Sequence, residues 1–307
     1  MKLGFRRHGK QFFFFTACLA GRPQVLSRLL EGAKRPVLLP PGEGVQAALL
    51  AVHGKNPALT VSDYVIMPDH VHFLLIADFD RDPAFDPISF IHEWRKMAEG
   101  SGDGIPGRLA WEKGFWLALA WYAPQRKAIR RYIQGNPARA MWKKAHPDRF
   151  RVMSGIRHPS LDPALRWSAM GDPTLLASPF RFPVRLTRKL PMEAQEEALS
   201  EAMDRARRGM IPVCGFISPA ERELERRLRA EPEVRWIKAL PCGLRPGYDP
   251  SLEDSRALAS GRLLLLTSFA PEVPVSPISR ANCETMNERI RALCGEAAEG
   301  IQTTATR

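Results

Sequence analysis

The chain has 307 residues, a net charge of +12 and 45% hydrophobic against 25% charged residues, with a sequence pI near 9.9 and a mean hydropathy of −0.24. That length accommodates two cores, and the composition is that of folded domains rather than of a disordered chain. No apolar run reaches the roughly 18 residues of a membrane helix. Five scattered cysteines (Cys18, Cys214, Cys242, Cys283, Cys294) without a C-x-x-C exclude a disulfide framework or a zinc site and suit a reducing cytoplasm.

The opening residues, charged and then apolar through Phe12-Phe13-Phe14-Phe15, have the outline of a signal peptide. The apolar run is short and reads equally well as a core strand over 11–19, closed by Gly21-Arg22-Pro23. Helices are expected near 23–32 and 44–53, then a strand over 64–77. Phe90, Ile91, Trp94 and Met97 recur at helical spacing and predict a helix over 88–99, broken by Gly100-Ser101-Gly102-Asp103-Gly104. An aromatic strand over 111–121 and a basic amphipathic helix over 125–135 follow. Strands and helices mixed in this way suit an α+β domain with an antiparallel sheet.

Prolines recur without periodicity from 150 to 192, which reads as a connector. Beyond it the pattern predicts a helix over 193–208 and a strand over 210–217. Ser218-Pro219-Ala220-Glu221 is a capping box with proline at the first helical position, opening a helix that runs to 229. A strand over 234–240, a helix over 252–260, a buried strand over 262–269 and a helix over 279–294 complete the chain. This β-α-β-α-β-α order implies a Rossmann-like α/β domain with a parallel sheet. The expected division is therefore 1–149, 150–192 and 193–307. Neither G-x-G-x-x-G nor a Walker motif is present, which argues against a nucleotide cofactor. A phosphate at the N-terminus of the helix after Ser218 stays open.

The charge is uneven. Residues 1–150 hold 22 Lys and Arg against 13 Asp and Glu, whereas the remainder is nearly balanced. Between 126 and 149, Arg126, Lys127, Arg130, Arg131, Arg139, Lys143, Lys144 and Arg149 face a single acid, Asp148. A patch of that density attracts polyanions, nucleic acid first among them. Trp111, Trp116 and Trp121 are suited either to the core or to stacking on unpaired bases.

The most informative segment is Met67-Pro68-Asp69-His70-Val71-His72-Phe73-Leu74-Leu75. On a strand, His70 and His72 project from one face and can grip a cation together if a third ligand arrives. About sixty residues later comes Tyr132-Ile133-Gln134-Gly135-Asn136-Pro137. Tyr132 and Asn136, four apart, share a helix face, although Pro137 predicts that the helix ends near this point. The Asn136 amide oxygen is a candidate third ligand. Two imidazole donors lean toward Mn²⁺ over Mg²⁺.

These two strings, with Arg139 and Ala140 following, resemble the IS200-like transposases that use a tyrosine nucleophile, most closely the REP-associated branch, over about residues 5–145. The resemblance implies a ferredoxin-like fold, His70, His72 and Asn136 as ligands of a divalent Mg²⁺ or Mn²⁺, and Tyr132 as nucleophile. It implies cleavage and rejoining of single-stranded or hairpin DNA through a 5′-phosphotyrosine. Arg126, Lys127, Arg130, Arg131, Arg139, Lys143 and Lys144 would bind that DNA, with the chain a monomer or homodimer away from membranes. Tyr122 is a rival nucleophile without the Asn-Pro context. Leu117-Ala118-Leu119-Ala120-Trp121 departs from the more polar strand of the family.

Residues 195–295 resemble the Rossmann-type domain of the DprA (DNA-processing) family more distantly. The resembling stretches are Cys214-Gly215-Phe216-Ile217-Ser218-Pro219, Leu240-Pro241-Cys242-Gly243-Leu244 and Gly261-Arg262-Leu263-Leu264. The family's anion loop is replaced by Phe216-Ile217-Ser218. The alternative expectation is thus a non-catalytic, single-stranded-DNA-binding or DNA-processing accessory protein derived from a transposase.

Overall fold

The computed structural model describes residues 8–31, 33, 35–100, 109–187, 191–295 and 301–303. They form two compact units, residues 1–141 and 142–307, each with its own sheet and core.

The first unit contains β1 (Lys10–Cys18), a short ribbon of β2 (Ser27–Arg28) and β3 (Val37–Leu38), and α1 (Pro40–Lys55). β4 (Leu59–Ile66), β5 (His70–Asp78), α2 (Pro87–Gly100), β6 (Trp116–Leu119) and most of α3 (Ala123–Ala145) follow. The sheet order is β4-β5-β1-β6, and every pairing is antiparallel. Odd-numbered residues of β1 and β5 (Phe13, Phe15, Val71, Phe73, Leu75) are fully buried in one core with Ile91 and Trp94 of α2 and Val45 and Leu49 of α1. The other face carries Phe12, Phe14 and Leu74, packed with Ile129 and Ile133 of α3. Period-two alternation thus separates a structural face from the one that bears the histidines.

Four expectations are corrected here. The run at 64–77 is a hairpin, not one strand: Met67 N–H donates to His70 O across the turn at Pro68-Asp69. The stretch 23–32 is not a helix but carries the β2 strand, because Leu26 N–H donates to Pro68 O and Ser27 Oγ to Ile66 O, tying it to the hairpin. The 111–121 strand shrinks to β6, with Trp111 reduced to an isolated bridge opposite Leu19. Helix α3 does not stop at Pro137 but continues to Ala145. Pro137 lies on its buried side between Gly135 and Arg139, so packing outweighs the missing backbone donor. The predicted glycine break at 101–104 lies outside the described residues.

The second unit holds β7 (Met153–Ile156), β8 (Trp167–Gly171), β9 (Arg181–Leu186), α4 (Met192–Arg207), β10 (Ile211–Cys214) and α5 (Pro219–Ala230). β11 (Trp236–Ala239), α6 (Leu252–Ala259), β12 (Leu263–Thr267), α7 (Arg280–Cys294) and β13 (Ile301–Thr303) complete it. Its seven strands run in the order β13-β9-β10-β11-β12-β8-β7. The pairs from β13 through β12 are parallel, and β8 and β7 add on antiparallel. The sheet is therefore mixed rather than wholly parallel. The segment 150–192 is not a connector, since it supplies β7, β8 and β9, and the division falls after 141 rather than 149. All five cysteines are free. Among the described residues no helix is long and apolar enough to cross a membrane.

Candidate nucleophile and metal site

β5 projects His70 and His72 from the face covered by α3. Their rings lie edge to face, with centroids 4.7 Å apart. Helix α3 brings Tyr132 over the same spot, its ring centroid 5.2 Å from that of His72 and 5.9 Å from that of Phe14. Phe14 also stacks on His72 at 5.6 Å, so the tyrosine is wedged between the strand histidines and the next strand. Residues sixty positions apart are joined because both halves of the face need the same apolar cover.

Each imidazole is held by a partner on Nδ1. His70 Nδ1 is 2.5 Å from Asp69 Oδ1, and Asp69 Oδ2 is held in turn by Arg22 Nε at 2.9 Å. His72 Nδ1 is 2.7 Å from Thr16 Oγ1. Such partners fix ring orientation, and a carboxylate accepting from His70 Nδ1–H leaves Nε2 of that ring unprotonated. Burial pushes His72 down to about 3, helped by His70 and Arg139 nearby. Burial also lowers His70, with Asp69 opposing the shift. Both rings are therefore neutral near pH 7, the form that coordinates metal.

Asn136 follows one turn after Tyr132 on α3, and its Nδ2 is buried without a hydrogen-bond partner. A buried carboxamide with one end unpartnered is uncommon, and it marks Asn136 as a polar side chain that the fold itself leaves unsatisfied. Two neutral imidazoles and one amide make a donor set that fits Mn²⁺ or Mg²⁺. Among the described residues no group of three His, Cys, Asp or Glu is placed to hold a metal ion, at this site or elsewhere.

The expected basic residues separate. Lys127 and Arg131 are exposed on α3. Arg130 is exposed but pairs with Asp63 at 2.9 Å, and Arg126 packs 4.3 Å over the Phe12 ring. Arg139 departs from a DNA-contacting role: it is 5% exposed, with its guanidinium 4.1 Å above the Tyr132 ring. It holds the tyrosine rather than facing solvent. Lys144 is exposed, while Lys143 is half-buried and bonded to Asp249 at 2.7 Å. Tyr122 is 73% exposed at the start of α3, about 15 Å along the helix from Tyr132. Thr16, Asp69, Arg22 and the cation–π role of Arg139 were missed in the sequence. Only Asp69, directly preceding His70, carried a local signal.

A cleft of about 280 Å³ opens on the β4 side of α3, lined by Gln46, Asp63, Tyr64, Ile133, Gln134 and Pro137 among others. In the second unit, the place left open for a phosphate before α5 is filled from within. Glu221, 7% exposed, accepts from Leu186 N at 3.1 Å, Ile217 N at 2.8 Å and Ser218 N at 3.0 Å. A carboxylate already occupies the donors an anion would need.

No protein-family model and no curated protein matches the chain. Solved structures do. A REP-associated tyrosine transposase bound to a REP hairpin is 22% identical, with 47% of this chain and 77% of that one covered at a TM-score of 0.35. The single-stranded-DNA-binding DNA processing protein A from Helicobacter pylori is 18% identical, covering 48% and 67% at 0.37. A transposase-like protein from Deinococcus radiodurans is 20% identical, covering 44% and 96% at 0.30. The chain is thus similar, over part of its length, to members of both families that its motifs resemble.

Proposed function

We propose that this chain is a metal-dependent DNA strand transferase acting on single-stranded or hairpin DNA in the cytoplasm. The first unit is read as a ferredoxin-like domain, in line with its βαββαβ element order and β4-β5-β1-β6 arrangement. The second is read as Rossmann-like, with two antiparallel strands added at one edge. The observation that carries the proposal is the packing of Tyr132 against His72, 5.2 Å between rings, beside His70. Two imidazoles lowered by burial and a buried amide one helical turn from the tyrosine support the same reading.

His70, His72 and Asn136 would hold the ion, which when bound polarises a phosphate and orients the scissile bond. Tyr132 supplies the nucleophile. Its phenolic oxygen forms a bond to phosphorus as the bond to the 3′-oxygen breaks, giving a 5′-phosphotyrosine and a free 3′-hydroxyl. The phenolic proton passes to solvent, and the leaving oxygen takes one up. Arg139 over the ring and Phe14 at its edge fix the direction of attack, as in-line displacement demands. Asp69 and Thr16 hold the imidazoles in the tautomer that leaves Nε2 unprotonated. Rejoining is the same step reversed on another 3′-hydroxyl.

The test is incubation of the full chain with end-labelled hairpin oligonucleotides bearing single-stranded flanks, with Mn²⁺ or Mg²⁺ and with a chelator. The proposal expects nicked product with the metal and none with the chelator. Tight binding without nicking, over a panel of hairpins that varies stem, loop and flank sequence, would favour the non-catalytic DNA-binding reading.

A further inference from the structure

The exposed aromatics of the first unit are unusually grouped. Trp116 is 65% exposed, Trp121 43% and Tyr122 73%, all within seven positions. Indoles this open to water are uncommon, because tryptophan normally buries most of its large apolar surface. Trp111, by contrast, packs against Trp94 at 5.4 Å and serves the core.

Strand register locates Trp116 relative to the site. Thr16 of β1 pairs with His72 on one side and with Trp116 on the other. Directly opposed residues share a face of the sheet, so His72, Thr16 and Trp116 form one row on the α3 side. Two strand spacings separate His72 from Trp116, about 10 Å. β6 is the outer strand of the sheet, so the indole stands at an open edge. Its neighbours Leu117 and Leu119 point the other way, into the core with Phe13 and Phe15. Arg126 and Lys127 follow Trp121 and Tyr122 within the first two turns of α3.

We propose that Trp116 is a stacking platform for an unpaired base next to the phosphate held at His70, His72 and Tyr132, with Trp121 and Tyr122 extending the platform toward the basic start of α3. This rests on the reading of that site as a single-stranded-DNA site. An aromatic face at this distance takes a base one or two nucleotides from the reacting phosphate, and the neighbouring cations suit the backbone that follows. Stacking is indifferent to base identity, so the platform grips the flank without reading its sequence.

The test uses the full chain with a deoxythymidine homopolymer and with a flush duplex hairpin as probes, affinities being read by fluorescence anisotropy. Trp116→Ala should weaken homopolymer binding about tenfold and leave the flush hairpin unchanged, while Trp116→Phe keeps most of the affinity. An exposed edge position tolerates both substitutions, which circular dichroism checks. Equal homopolymer binding by wild type and Trp116→Ala overturns the platform even if the wild type nicks DNA. Loss of binding in Trp116→Ala with no tyrosine adduct in the wild type keeps the platform and removes the chemistry. If wild type sediments as a dimer and Trp116→Ala as a monomer, the indole is covered by a second copy and the proposal fails.

Discussion

His72 makes the fold of the first unit depend on pH in a way that is measurable without any DNA. Its imidazole is 4% exposed, and burial holds it at about 3 against an ordinary 6.5. Between those values the unfolded chain binds a proton that the folded chain refuses. Stability from this group is therefore complete above pH 6.5 and drains away as pH falls toward 3. At 1.36 kcal/mol per pH unit the full window is worth about 5 kcal/mol, and about 2 kcal/mol is gone by pH 5. Other groups titrate over the same range, so the comparison is with His72→Gln, which has no proton to take up and keeps an amide N–H donor for Thr16 Oγ1. Urea unfolding of both proteins is followed in chelator at about pH 7.5 and about pH 5, taking the transition of the first unit. The stability difference between wild type and variant should shrink by about 2 kcal/mol on acidification. An unchanged difference would mean that His72 titrates normally inside the fold, and the argument for a desolvated neutral ligand would fall with it.

Two other outcomes follow from the geometry. Neutralising exposed Lys127 and Arg131 should weaken single-strand binding alike for all sequences and flatten its salt dependence by about 0.7 log units per lost contact, measured by anisotropy titrations across salt concentrations. In the second unit, Glu221→Ala should cost about 2 kcal/mol or more by stranding the buried amides of Leu186 and Ser218 and the part-buried amide of Ile217. The readout is the thermal midpoint, and an unshifted midpoint would show that water serves those donors equally well.

The elements most legible in the sequence were those where local chemistry and packing agree. Ser218 and Glu221 close the capping box expected of them, and Ser279 caps α7 where the predicted helix begins. Period two placed His70 and His72 on one face, and their rings do meet. What failed was local punctuation overruled by tertiary contacts. Pro137 ends a helix in isolation, yet α3 passes through it because its buried side packs on the sheet. Strand β8 is buried at every position, so it shows no alternation, and prolines such as Pro183 within β9 disguised the neighbouring strand as linker. Around the site, Thr16 and Arg22 carry no motif. Their roles come from the β1–β5 register and from the backbone of Arg22, held at a φ of 56°, which a linear reading does not contain. Arg139 looked like one more cation of a basic helix, and only the helix phase beyond Pro137 turns it onto Tyr132.

The central claim is that Tyr132 forms a covalent bond to DNA. The direct measurement is mass spectrometry of the protease-digested adduct, after incubating the full chain with a flanked hairpin and Mn²⁺ and then denaturing it. The account predicts a nucleotide-bearing peptide spanning Tyr132 in wild type and in Tyr122→Phe, and none in Tyr132→Phe although that variant still binds the DNA. An adduct that persists in Tyr132→Phe, or one mapped to Tyr122, would contradict it.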